Sequence, residues 1–345
     1  MKTSPYTIQY STFETGIEGL LKLLQRDNKQ HLVDEILSNL IELRPDNQDR
    51  VPLCDVTQNI HTIARITNDP CLGAKTISLV DLDSLPLYKT LKHCTQILNQ
   101  SGNSLPINVL ATLIGRYFSV ISEVVSVDIQ YHKHTISIEL TPSQPDQISY
   151  HQIEGSTFGL FRIIHSLSNA QVQSINFTHS RPNNAGTTYQ DLFSFSPQHG
   201  TAKNQLILLS SHAVESLGEN SLLTLNSIQS LLDTTFPGLN DRERCQHILR
   251  SILSFGEPTR ENVASIMSIS VSTLQRKLRV QQTSFKELLL ETRQTMAHEL
   301  LITHQRNVSD MAFLLGYQSS SQFFKAFKKW FGLTPLEYKS RHQKK

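Results

Sequence analysis

One pattern occurs twice near the end of this 345-residue chain, and the repeat narrows the available folds more than any other feature. The first copy runs Val263-Ala264, Ile266, Ser268-Ile269-Ser270, Leu274 and Leu278; the second runs Met311-Ala312, Leu314, Gly316-Tyr317-Gln318, Phe323 and Phe327. The two alanines stand 48 residues apart, so each copy reads as one supersecondary unit. A small residue in a first helix lets a second helix cross it closely. Four residues later the chain must turn tightly, at a position where glycine is usual. Gly316 fills that position in the second copy and Ser268 in the first, with Tyr317 and Ile269 as apolar plugs for the turn. The pattern predicts helix-turn-helix units over about 259–281 and 308–331. Between them Phe285–Thr303 is a helix-compatible run of 19 residues without Gly or Pro. It would span roughly 28 Å, close to the roughly 34 Å of one duplex turn.

The second half of the second copy is strongly two-faced. Phe323, Phe324, Phe327, Trp330 and Phe331 are expected on one core-facing stripe, and Ser321, Gln322, Lys325, Lys328 and Lys329 on the opposite face. Gly332 and Pro335 are expected to end this helix. Charge separates in the same way. From Pro258 onward 14 Lys and Arg stand against 6 Asp and Glu, a net +8, whereas the preceding residues carry 18 against 24, a net −6. A cationic end on an otherwise acidic chain points to a nucleic-acid or acidic-membrane partner, because clustered cations gain from releasing the counterions condensed on phosphates.

The preceding chain reads as α+β. Helical spacing covers Phe13–Leu43, Pro52–Thr67, Leu85–Gln100, Ile107–Ser119 and Ser149–Ser168. Alternation marks a hairpin, Val125–Tyr131 and Thr135–Leu140 about a His132-Lys133-His134 turn, followed by strands at Val172–Thr178 and Gln205–Leu209. Ser221–Leu232 is expected to be a short helix in a linker, and Asp241–Ser254 a further helix. This divides the chain into an α+β domain over 1–212, a linker over 213–239 and an all-α domain over 240–345. Cys54, Cys71, Cys94 and Cys245 form no CxxC pair, so neither a zinc ribbon nor a disulfide framework is expected. His132, His134, His165, His179 and His199 fit no standard metal spacing, and no metal or cofactor is expected. The N-terminus lacks the apolar core of a signal peptide, and a cytoplasmic protein without membrane spans is expected.

The last hundred or so residues resemble the DNA-binding domain of the AraC/XylS family of bacterial transcription regulators. The resemblance rests on Ser270–Leu278, on Arg293, Ala297 and Leu300-Leu301, and on Val308-Ser309-Asp310-Met311-Ala312. It continues through Leu315-Gly316-Tyr317, Phe323, Phe327-Lys328 and Gly332-Leu333-Thr334-Pro335 with Tyr338. Ser268 departs from the usual glycine and Lys325 from the commoner arginine; the latter puts a point charge in place of a bidentate fork. The resemblance implies base contacts from Ser272, Thr273, Gln275 and Arg276 in one major groove and from Ser320, Ser321, Gln322 and Lys325 in the next. Arg279, Lys328 and Lys329, later on their helices, are expected at phosphates.

Over about residues 13–210 the chain resembles the sensor domain of ornithine- or arginine-responsive relatives. The marks are Arg50-Val51-Pro52, Asp69-Pro70, Leu72-Gly73, Phe177, His179, Arg181-Pro182, Tyr189, Phe193, Asn204 and Leu206. This implies a homodimeric, ligand-responsive activator that is not an enzyme, with double-stranded DNA, an amino-acid-like effector and RNA polymerase as partners. Arg162 and Arg181 are each open to an effector carboxylate or to a structural ion pair. The alternatives are a DNA-tethered enzyme with a reactive cysteine and an effector-independent nucleoid-type binder.

Overall fold

The computed structural model describes residues 7–46, 50–98, 107–121, 125–142, 144–210, 232–233, 238–253, 257–303 and 308–342. Among these, residues 7–210 fall in one compact unit, and 232–233 with 238–342 in another.

In the first unit β1 (Thr7–Gln9) pairs antiparallel with β2 (Arg50–Pro52), Ile8 opposite Val51. The helix expected over Phe13–Leu43 is instead two, α1 (Tyr10–Arg26) and α2 (Val33–Asn39). The break falls at Asn28, whose φ of 53° is the left-handed conformation that asparagine tolerates better than most residues. Leu40 is already extended. Four helices follow, α3 (Leu53–Thr67), α4 (Leu72–Ser78), α5 (Pro86–Leu98) and α6 (Ile107–Ile121).

The hairpin forms as read, β3 (Val125–Tyr131) against β4 (Thr135–Pro142). After α7 (Tyr150–Leu167) come β5 (Val172–Asn176), α8 (Thr188–Phe193) and β6 (Gln205–Leu209). The resulting antiparallel sheet has the order β3-β4-β6-β5, with α6 and α7 packed on it. Ser149 starts α7 with a capping box, its side chain paired with the helix and Gln152 reaching back. Helices α4 and α7 touch at backbone distance: a Cβ on Gly73 would lie 1.9 Å from the His151 carbonyl oxygen. Glycine is therefore required at residue 73.

In the second unit α9 (Asp241–Ile252) leads into α10 (Arg260–Ile266), α11 (Val271–Val280) and α12 (Phe285–His298). A π-helical turn, Glu299–Thr303, carries α12 to the end of its expected 19 residues. Then come α13 (Val308–Leu314), α14 (Ser320–Phe331) and α15 (Pro335–His342). Helix α14 stops at Gly332, whose φ is 70°. Pro335 also begins a helix, α15, which the sequence reading lacks; proline suits a first helical position because its missing N–H is not needed there. Of the helix expected at Ser221–Leu232, all but Leu232 lies outside the described residues. Among the described residues no helix is long and apolar enough to cross a membrane.

Candidate nucleic-acid interface

The two turns share one hydrogen-bond pattern. Ile269 N donates to Ala264 O at 3.0 Å and Tyr317 N to Ala312 O at 2.9 Å; Met267 N donates to Val263 O and Leu315 N to Met311 O, both at 3.0 Å. Ser268 has φ 55° and Gly316 φ 74°, so the serine occupies the left-handed position that the glycine fills in the other copy. Past the turn the offset grows from 48 to 49 residues. Ser270 caps α11 and Ser319 caps α14, each accepting from the backbone N–H three residues on. Leu274 and Leu278 then correspond to Phe323 and Phe327, and all four are fully buried.

That register defines the outward faces. Ser272, Gln275, Arg276 and Arg279 lie at i, i+3, i+4 and i+7 on α11 and are exposed. Their counterparts on α14 are Ser321, Phe324, Lys325 and Lys328, also exposed. Gln322 and Lys329 extend the α14 face, while Ser320 is half-buried. Thr273 is half-buried too, with its Oγ1 2.8 Å from Ser270 Oγ. One expectation is corrected here. Phe324 does not join the core: it is 37% exposed, whereas Phe323 and Phe327 are at 0% and Trp330 and Phe331 pack at the core's edge. One residue along a helix is a rotation of about 100°, enough to move Phe324 off the stripe.

Ion pairs tie the helices of this unit together. Lys277 pairs with Asp241 at 2.9 Å, Arg242 with Glu291 at 2.8 Å and Arg250 with Glu299 at 2.7 Å. The side chains of Gln275, Arg276, Arg279 and Lys325 make no hydrogen bond or ion pair with any described residue. These four side chains are therefore available to an outside partner. Arg293, on α12, is buried and reaches three places. Its Nε donates to Leu315 O at 3.0 Å, its guanidinium lies 4.6 Å from the Tyr317 ring centroid, and Nη2 is 3.6 Å from Glu257 just before the first helix-turn-helix.

Residues 263–341 match the family described as "Helix-turn-helix domain". This segment is an AraC-type helix-turn-helix domain. The chain is 37% identical over 83 residues to the porin thermoregulatory protein EnvY of Escherichia coli (strain K12), covering 24% of this chain and 33% of that one. It is 35% identical over 114 residues to the HTH-type transcriptional regulator GadX of Escherichia coli (strain K12), covering 33% of this chain and 40% of that one. The crystal structure of a DNA-binding transcriptional dual regulator from Escherichia coli K-12 matches with 32% identity and a TM-score of 0.29, over 32% of this chain and 97% of that one. The chain spans about a third to two fifths of the length of the two curated relatives.

Outside the AraC-type domain, the first unit holds a cavity of about 530 Å³ among α1, α3, α4, α6 and α7. Its lining is mainly apolar, including Ile17, Ile63, Ile77, Phe118 and Leu160, with Gln152 and His151 among the polar groups. Arg162 Nη1 donates to Ile77 O and Val80 O, both at 2.7 Å, satisfying carbonyls at the end of α4. Arg181 likewise donates to Gly186 O at 2.9 Å. Neither forms the ion pair considered from sequence.

Proposed function

We propose that this chain is a ligand-responsive transcription activator that reads DNA with two helices in successive major grooves. The observation that carries the reading is that Gln275, Arg276 and Arg279 of α11 and Lys325 of α14 are exposed on matching faces behind two like turns and make no hydrogen bond or ion pair with any described residue. Base contacts are assigned to Ser272, Thr273, Gln275 and Arg276, and to Ser320, Ser321, Gln322 and Lys325. Arg279, Lys328 and Lys329 take phosphates. Phe324 joins the second set, where its ring suits a thymine methyl group. Thr273 acts partly through the cap it shares with Ser270.

The first unit is the sensor, and its cavity takes the effector. Roughly 300–1,000 Å³ of mostly apolar space with a few polar groups is usual for a small-molecule site. The lining, apolar apart from Arg50, His151, Gln152 and hydroxyl groups, suits an effector with a substantial apolar part. Effector binding shifts the population toward the DNA-competent state of a cytoplasmic homodimer that recruits RNA polymerase. The reactive-cysteine alternative is disfavoured because burial raises the Cys71 thiol to about 11 and the Cys245 thiol to about 12, and Cys54 is raised as well.

Genome-wide mapping of sites bound by the full chain tests the reading. It predicts a limited set of promoter-proximal sites sharing two sequence blocks one helical turn apart. Broad occupancy with no shared sequence would establish the nucleoid-type alternative instead.

A further inference from the structure

Glu154, on α7, has 0% exposure. Its Oε1 accepts from the Tyr189 hydroxyl and lies 3.0 Å from His179 Nε2. Its Oε2 has no hydrogen-bond partner, and neither does the buried Nε2 of His199. A buried polar atom left without a partner is costly, and here two residues of one cluster each carry such an atom. One ligating atom from each of Glu154, His179 and His199 falls within 4.8 Å of the other two.

The backbone holds these groups in place before anything binds. His179 lies just beyond β5 and His199 just before β6. Phe177 N donates to Gln198 O and Gln198 N to Ile175 O, both at 2.8 Å; Gly200 N donates to His179 O and Thr201 N to Phe177 O, both at 3.0 Å. Four backbone bonds thus hold the two histidine segments side by side, facing α7. The Tyr189 hydroxyl fixes the carboxylate, as outer partners of metal ligands do. The Arg181 guanidinium lies over the Tyr189 ring at 6.0 Å and donates to Gly186 O. No described Lys or Arg forms a salt bridge with Glu154, whose one such partner is His179.

We propose that Glu154, His179 and His199 bind a divalent first-row transition-metal ion. Two imidazoles and one carboxylate, with no thiolate, form a donor set for Zn²⁺, Fe²⁺ or Co²⁺; Mg²⁺ and Ca²⁺ want oxygen alone. The ion takes the place of the His179–Glu154 hydrogen bond and gives Glu154 Oε2 and His199 Nε2 their missing partner. It ties α7 to both segments flanking α8, so occupancy rigidifies one end of the first unit.

The test uses the full chain, stripped with a chelator and titrated with Co²⁺. Binding of one equivalent with d–d absorption of a low-coordinate ion, displaced by Zn²⁺, is the expected result, together with a Zn²⁺-dependent rise in Tm. The informative variant is His199→Gln, since the Nε2 it removes bonds to no protein group and the fold should survive, as circular dichroism will verify. Loss of an outer partner already weakens metal binding about 10–100-fold, so loss of a ligand should exceed about 100-fold. The pair His132→Gln and His134→Gln, in the exposed hairpin turn, should leave binding unchanged. Absence of stoichiometric binding in the parent chain overturns the proposal. So does undiminished binding in His199→Gln, or an equal loss in the hairpin pair.

Discussion

The Arg293 guanidinium lies 4.6 Å from the centroid of the Tyr317 ring, while its Nε bonds the carbonyl of Leu315, two residues before that tyrosine. One side chain of the linker helix therefore grips both the apolar plug and the backbone of the second turn, and its Nη2 approaches Glu257 ahead of the first helix-turn-helix. A planar, delocalised cation does this in a way a lysine cannot. Arg293→Lys is expected to destabilise the second unit by about 1–2 kcal/mol and Arg293→Ala by about 2–4 kcal/mol, from the buried charged hydrogen bond and the cation–π contact together. Urea denaturation of the full chain followed by Trp330 fluorescence is the measurement. A change below about 0.5 kcal/mol for Arg293→Ala would remove this residue from the account.

Ser268 holds a conformation that costs an L-residue other than Gly, Asn or Asp roughly 1–2 kcal/mol. Because Gly316 occupies the same position in the other turn, Ser268→Gly is expected to stabilise the first helix-turn-helix by about 0.5–1 kcal/mol without altering DNA binding. Ser268→Val should destabilise by more than 1 kcal/mol, roughly, since β-branching is poorly tolerated at positive φ. Paired thermal melts of the two variants distinguish conformational strain from any effect of removing the hydroxyl.

Much of this was legible beforehand because it is local. The repeat, its turns and the linker helix follow from residues within a few positions of one another, and Gly332 ended its helix as its chemistry requires. Phe324 falls off the stripe because Phe323 and Phe327, one turn apart, already occupy the core side, and Phe324 is rotated about 100° from Phe323. Across Phe13–Leu43 the leucine spacing continues past the break, and Asn28 is a local sign of it. The grouping of Glu154, His179 and His199 could not be read at all, because three separate elements supply its members and no spacing encodes their approach.

The outward stripe yields separable effects on DNA. Gln275→Ala and Gln322→Ala should lose sequence preference more than total affinity, about 1–3 kcal/mol against the preferred site and little on random duplex. Phe324→Ala should relax preference at one thymine in the same way. Lys328→Ala should weaken all sequences alike and lower the slope of log K against log salt by about 0.9. Equal losses on specific and random DNA for the glutamine variants would show that they only support the helix.

Acid should act on the first unit through His151. Its ring is buried, and burial, with His61 and His179 opposing a further charge and Asp69 favouring it, lowers its pKa from 6.5 to about 4. Above pH 6.5 the histidine is neutral whether folded or unfolded and contributes no pH dependence. Below it the unfolded chain takes up a proton that the folded chain refuses until about pH 4. Stability should therefore fall by up to about 1.4 kcal/mol per pH unit across that window, on the order of 3 kcal/mol in all. His151→Gln should flatten the curve by about one proton between these limits, and a slope unchanged from the parent chain would assign the acid sensitivity to other groups.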